Sequence, residues 1–198
     1  MIGNKDEIIK RTGIENNALN ILDIKKKKNV SLYLEECFKI AFHILKKGKA
    51  HGIINLPLNK KFLPKKYPGF TEYISDFFNT KNKETMLLYN ESFSVCPNTT
   101  HIPLAEASKK LTKELIVNNV LNINNFYKKI LKKTPIIGMM GFNPHNGQDF
   151  SQKLEEEKTI LPSIKCIKKK RIKIIGPISP DVAFNEPSTC DCYLVRAL

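Results

Sequence analysis

The sequence holds only four histidines, His43, His51, His101 and His145, and two of them have a setting that could do chemistry. His101 lies in Asn98-Thr99-Thr100-His101-Ile102-Pro103, and His145 in Phe142-Asn143-Pro144-His145-Asn146-Gly147. Each follows an apolar stretch that reads as a strand. Neutral imidazole is a good ligand for a divalent metal, so two imidazoles at separate strand ends can meet in one cleft and share an ion. They can equally be separate polar loop residues, since a catalytic metal usually takes three protein ligands. His43 falls inside a helical pattern and reads as a surface residue, and His51 reads as a loop residue. Lys60, in Pro57-Leu58-Asn59-Lys60, is a candidate anion holder beside Asn59, which can donate a neutral hydrogen bond. Thr71 and Glu72, after Gly69, can cap a helix beginning near Tyr73. Asp181 follows the stiff turn Gly176-Pro177-Ile178-Ser179-Pro180; it caps a helix or approaches a metal, and spacing does not decide. No nucleophile, general base or dinucleotide-binding residue can be assigned, because neither G-x-G-x-x-G nor the triphosphate loop is present.

The elements that must carry these residues alternate in an α/β rhythm, in which functional groups collect at strand ends. Leu34, Cys37, Phe38, Ala41, Ile44 and Leu45 recur at helical spacing, with Ser31 as cap and Gly48 at the stop. A short strand at Gly52-Ile53-Ile54 leads into the Asn59-Lys60 turn. Met86–Tyr89 and Phe93–Cys96 read as two strands turning at Asn90-Glu91. Thr112 caps a helix whose apolar stripe, Leu115 to Ile130, is interrupted by Asn119. Residues 135–140 form the strongest strand, followed by a helix within 152–168 that Pro162 must break or bend. Strands at 171–175 and 190–198 complete the pattern. Residues 1–29 read as a strand or turn and an exposed linker, and residues 30–198 as an α/β region of one or two lobes.

Composition excludes several classes. No run of about 18 apolar residues exists to cross a membrane, and the start lacks the core of a secretory signal. Five cysteines without a Cys-x-x-Cys pair suit a reduced, cytoplasmic protein. The net charge of +14 favours anionic partners, yet only Arg11, Arg171 and Arg196 are arginine. Base and phosphodiester readers lean on Arg forks and stacking aromatics, and no aromatic interleaves the lysine runs, so a nucleic acid is a poor match.

The motifs, taken in chain order, carry a resemblance. Ile53-Ile54-Asn55-Leu56-Pro57-Leu58-Asn59-Lys60, Gly69-Phe70-Thr71-Glu72, Thr100-His101-Ile102-Pro103-Leu104, Gly141 to Gly147, Glu155-Glu156 with Ile160 to Ile164, and Gly176 to Asp181 resemble the 4-hydroxythreonine-4-phosphate dehydrogenase family of pyridoxal phosphate biosynthesis. The resemblance implies a homodimer with the isocitrate/isopropylmalate dehydrogenase-like α/β fold. It implies NAD or NADP and a divalent metal (Zn, Mg, Mn or Co) used to oxidise 4-phosphohydroxy-L-threonine, whose oxo acid then loses carbon dioxide. His101 and His145 match two of the family's three metal-binding histidines, and Thr71 matches a substrate-contacting threonine. Asn59, Lys60 and Asp181 match motif positions expected on the substrate side.

The match also has departures. Phe70 stands where the family carries a substrate-contacting histidine, Gln148 where it carries an acid, and Phe150 and Lys153 where it carries glycines. The family's first strand, its Gly-Asp-Pro loop and its third metal histidine find no counterpart, so an incomplete fold, truncated at both ends, is expected. Two other functions therefore stay open. One is a catalytically inactive fragment or partner subunit, completed by a complementary chain; the other is a basic nucleic-acid-binding protein.

Overall fold

The computed structural model of the chain describes residues 1–14, 18–67, 69–80, 83–100, 102–149, 151, 154–183 and 189–197. It forms two units, Met1–Asn82 and Lys83–Leu198, each with a core of its own.

The first unit opens on two short parallel strands, β1 (Ile2–Gly3) and β2 (Leu22–Asp23). Between them in sequence runs helix α1 (Lys5–Thr12), which the linker expected over residues 1–29 did not include. The Asn4 side chain accepts the amide of Glu7 at 3.0 Å, and Gly13 closes the helix at φ 66. No residue of α1 is buried, so it has no apolar periodicity to register. Helix α2 (Val30–Lys46) is the expected one, but Asn29 rather than Ser31 caps it, accepting the Leu32 amide at 3.2 Å. Phe42, from α2, is fully buried against Tyr73 and Phe77 of α3 (Phe70–Phe77), with ring centroids 5.5 and 4.9 Å away. Each such aromatic pair adds about 0.5–1.5 kcal/mol beyond area burial. The strand expected at residues 52–54 does not form. Residues 52–59 are irregular and Ile54 is 99% exposed, because a two-residue apolar run is a strand only where a ladder partner exists.

The second unit is built on a four-stranded, wholly parallel sheet. Its order is β3 (Ser94–Thr99), β6 (Cys192–Ala197), β4 (Ile137–Met140) and β5 (Ile174–Ile178). The last strand of the chain is thus an inner strand, with Cys192 opposite both Ser94 and Ile137. Asp191 seats it. Its backbone N–H and C=O bond to Ile136 and Ser94, while its carboxylate accepts the Ile136 amide at 2.8 Å and pairs with Lys133. Helix α4 (Leu104–Lys110) precedes α5 (Lys113–Lys129), which Thr112 caps as expected by accepting the Leu115 amide at 3.1 Å. Ile116, Val120 and Ile123 pack the sheet's apolar residues Cys96, Ile137, Met139, Ile174 and Leu194. Asn119, the interruption in that stripe, is buried but satisfied: it donates to Asn98 at 3.3 Å and accepts from Thr85 at 2.9 Å.

Three further expectations shift. Of the two strands expected around Asn90, the first is reduced to one antiparallel bridge, Leu88 to Val95. The helix expected within 152–168 begins as a π turn over Glu156–Ile160 and continues as α6 (Leu161–Lys169). Pro162, the second residue of α6, follows the π turn without a gap in the helical run, so the irregular hydrogen bonding lies directly before the proline whose missing amide interrupts the ladder. β5 starts three residues later than expected, after Arg171 at φ 58, a left-handed residue no strand can include. Because all four strands are parallel, their C-terminal ends share one edge of the sheet, and β4 and β5 empty there into the loops that carry His145 and Asp181.

Candidate functional site

β4 leads through Gly141 into three consecutive left-handed residues, His145 (φ 48), Asn146 (φ 58) and Gly147 (φ 74). The left-handed region costs a non-glycine residue roughly 1–2 kcal/mol, so the turn must be held from outside. Gly141 donates its amide to Ile178 at 2.9 Å, and Asn146 donates its side-chain amide to the Pro177 carbonyl at 3.2 Å. These bonds join the loop after β4 to the loop after β5. A Cβ at Gly141 would run into the Asn146 side-chain oxygen, so that side chain would have to shift.

The turn places His145 between two carboxylates. Its Nδ1 is 2.7 Å from Asp149, and its Nε2 is 3.8 Å from Asp181. In the neutral imidazole the close Asp149 contact puts the proton on Nδ1 and leaves the Nε2 lone pair facing Asp181. Among the described residues Asp181 caps no helix; it lies in a turn and accepts the Ser179 hydroxyl at 3.0 Å. The ring is well exposed, with 65% of its side-chain surface accessible, so solutes can reach it. Arg196, from β6, donates to the Phe142 carbonyl at 3.5 Å, and Thr99 fastens the end of β3 to β6 by donating to the Arg196 carbonyl at 3.0 Å.

Of the residues singled out in the sequence, His145 and Asp181 are therefore brought together. His101, two residues beyond the end of β3, lies outside the described residues, as do Phe150 and Lys153. Asn59, Lys60 and Thr71 belong to the first unit. Asn59 caps the 3-10 turn Lys60–Phe62 by accepting the Lys61 amide at 3.1 Å, and Lys60 is exposed. Thr71 is exposed in the first turn of α3, whose cap is Gly69. Phe70 has a packing role, its ring centroid 4.7 Å from that of Phe38 in the aromatic core. His43 is the surface helix residue expected, with Nδ1 2.7 Å from the Lys39 carbonyl. The buried thiols are no nucleophiles: desolvation pushes Cys96 up to about 12 and raises Cys192 as well.

Sequence reasoning gave no role to Asp149 or Asn143. The signal for Asp149 was only its nearness in sequence to His145; the left-handed turn, not a helix, brings the two together. Asn143 had no such signal, because its partners Glu155 and Glu156 come from the next element.

The residues present fit a divalent ion in part. Two bonds of about 2.0–2.2 Å span up to roughly 4.2 Å, so His145 Nε2 and an Asp181 oxygen can reach one ion. Among the described residues no group of three His, Cys, Asp or Glu side chains is placed to hold a metal. They form no glycine-rich dinucleotide cradle either, since β4 passes into the left-handed turn instead of a helix.

Residues 5–196 match the family described as pyridoxal phosphate biosynthetic protein PdxA. The chain belongs to this family. The 4-hydroxythreonine-4-phosphate dehydrogenase of Aquifex aeolicus is 37% identical over 151 residues, 75% of this chain and 47% of that protein. The D-threonate 4-phosphate dehydrogenase of Pectobacterium atrosepticum is 31% identical over 151 residues, 75% of this chain and 46% of that one. The chain thus spans about half the length of the curated PdxA relatives it matches. The crystal structure of the 4-hydroxythreonine-4-phosphate dehydrogenase from Klebsiella pneumoniae superimposes with a TM-score of 0.82 at 20% identity, over 99% of this chain and 71% of that one. PdxA dehydrogenases have the isocitrate/isopropylmalate dehydrogenase-like fold, and this chain shares it.

Proposed function

We propose that this PdxA chain supplies part of the active site of a metal-dependent, NAD- or NADP-dependent dehydrogenase that oxidises 4-phosphohydroxy-L-threonine with loss of carbon dioxide. The observation that carries this reading is His145 Nε2 facing Asp181 at 3.8 Å, on the motif Gly141 to Gly147 within the family match. His145 and Asp181 would hold the divalent ion together with His101. When bound, the ion would supply a positive charge that lowers the pKa of the substrate hydroxyl.

Asp149 keeps the Nδ1 proton of His145, so that Nε2 presents its lone pair. Asn59, Lys60 and Thr71 would serve the substrate, Lys60 with a positive charge and the other two with neutral donors. The protein is further proposed to act as a homodimer in the cytoplasm; among the described residues no helix is long and apolar enough to cross a membrane. Light scattering after size-exclusion chromatography checks the dimer.

The test is dinucleotide reduction by the purified protein with 4-phosphohydroxy-L-threonine, and in parallel with D-threonate 4-phosphate, in the presence of Zn, Mg, Mn or Co. Turnover that needs the metal and is lost in His145→Ala is expected. Absence of turnover with every metal and both dinucleotides, or turnover indifferent to His145→Ala, overturns the reading.

A further inference from the structure

Glu156 carries a buried carboxylate that the reaction does not use. Its residue is 3% exposed, and among the described residues none of its bonds is to a cation. A buried carboxylate persists only where donors replace water. Here the donors all come from one place. Oε1 accepts the backbone amides of Phe142 and Asn143, each at 2.7 Å, and Oε2 accepts the Asn143 side-chain amide at 2.9 Å. A Cβ built on Gly147 would stand 3.1 Å from Oε2. The carboxylate therefore lies inside the turn, touching its entry at residues 142 and 143 and its exit at Gly147. Between these points stand the two strained residues, His145 and Asn146. Glu156 is also the first residue of the π turn that replaces a regular helix start, an irregularity that often marks functional sites.

We infer that Glu156 is a positioning residue for His145: it fixes the backbone on both sides of the left-handed turn and so aims the imidazole at Asp181. This deepens the dehydrogenase reading and rests on it for the identity of the metal ligand. The aiming itself does not depend on any metal. Glu156→Gln keeps the shape but turns one acceptor into a donor facing donors. Residues that orient a metal ligand typically change affinity by about 10–100-fold when replaced.

The experiment compares wild type, Glu156→Gln and Ile123→Val, the last a control that loosens the same core away from the turn. The imidazole ring signals of His145 are followed by heteronuclear NMR without metal, assigned by their loss in His145→Gln. Co²⁺ affinity is then measured by titration calorimetry. Glu156→Gln is expected to shift or broaden the His145 signals and to weaken Co²⁺ binding about 10–100-fold, while Ile123→Val does neither. Unchanged His145 signals in folded Glu156→Gln, or the same change in Ile123→Val, overturn the positioning role. If wild type binds no Co²⁺, the metal reading fails and the NMR comparison still decides Glu156. If Glu156→Gln does not fold, Glu156→Asp, whose carboxylate is drawn back by one methylene, is read the same way, and wild-type signals in it overturn the proposal.

Discussion

Single residues hold the two site loops through a few close approaches. Gly141→Ala would push a Cβ against the Asn146 side chain, whose amide ties the two site loops together. We expect it to cost about 1–3 kcal/mol of unfolding free energy, read from urea denaturation, and to lower any activity of His145 with it. Asp149→Asn, by contrast, leaves the packing intact and should leave stability within about 0.5 kcal/mol, because both partners are exposed. Its expected effect is on metal affinity. His145 was legible as a strand-end residue because its motif follows the strongest apolar run in the chain. Asp181 was legible only by its place after a stiff turn, and its approach to His145 Nε2 at 3.8 Å was not. Glu156 was not legible as a support. An acid at a helix start has a sufficient local explanation in the helix dipole, and only the tertiary structure shows that its carboxylate points back into the loop before it.

At the scale of elements, side-chain caps and buried polar bridges set the boundaries. Thr112→Ala removes the acceptor for the Leu115 amide and should destabilise the second unit by about 1 kcal/mol, measured by thermal or urea unfolding. Asn119→Ala should cost more, about 1–3 kcal/mol, because it strands the Asn98 oxygen and the Thr85 hydroxyl. α5 was readable from its cap and stripe, and Asn119 announced itself only as a flaw in that stripe. α1 was unreadable for the opposite reason: it buries nothing and is held by its two caps. The expected strand at residues 52–54 failed because apolar composition cannot say whether a neighbouring strand is there to pair.

At the scale of the whole molecule, the placement of β6 matters most. Residues 192–197 fill the gap between β3 and β4, so the sheet cannot close until they are in place. Deleting residues 192–198 should abolish cooperative unfolding of the second unit, monitored by circular dichroism. No periodicity in the sequence could reveal that insertion, because strand order is a matter of topology. The buried thiols give the fold a pH dependence with a defined sign. Burial pushes the Cys96 thiol of the folded chain from its ordinary 9.0 up to about 12. The folded state therefore keeps its proton where the unfolded chain loses it. The stabilisation is complete below pH 9.0 and is lost as pH rises toward about 12. The urea midpoint should fall across that window, and less steeply in Cys96→Ala.

If His145, aimed at Asp181, binds a divalent ion, a Co²⁺ titration followed by visible absorption reads it at the metal itself. Wild type should develop saturable ligand-field bands that vanish in His145→Ala and weaken in Asp181→Asn. Identical bands in wild type and His145→Ala, or none in either, would contradict the account.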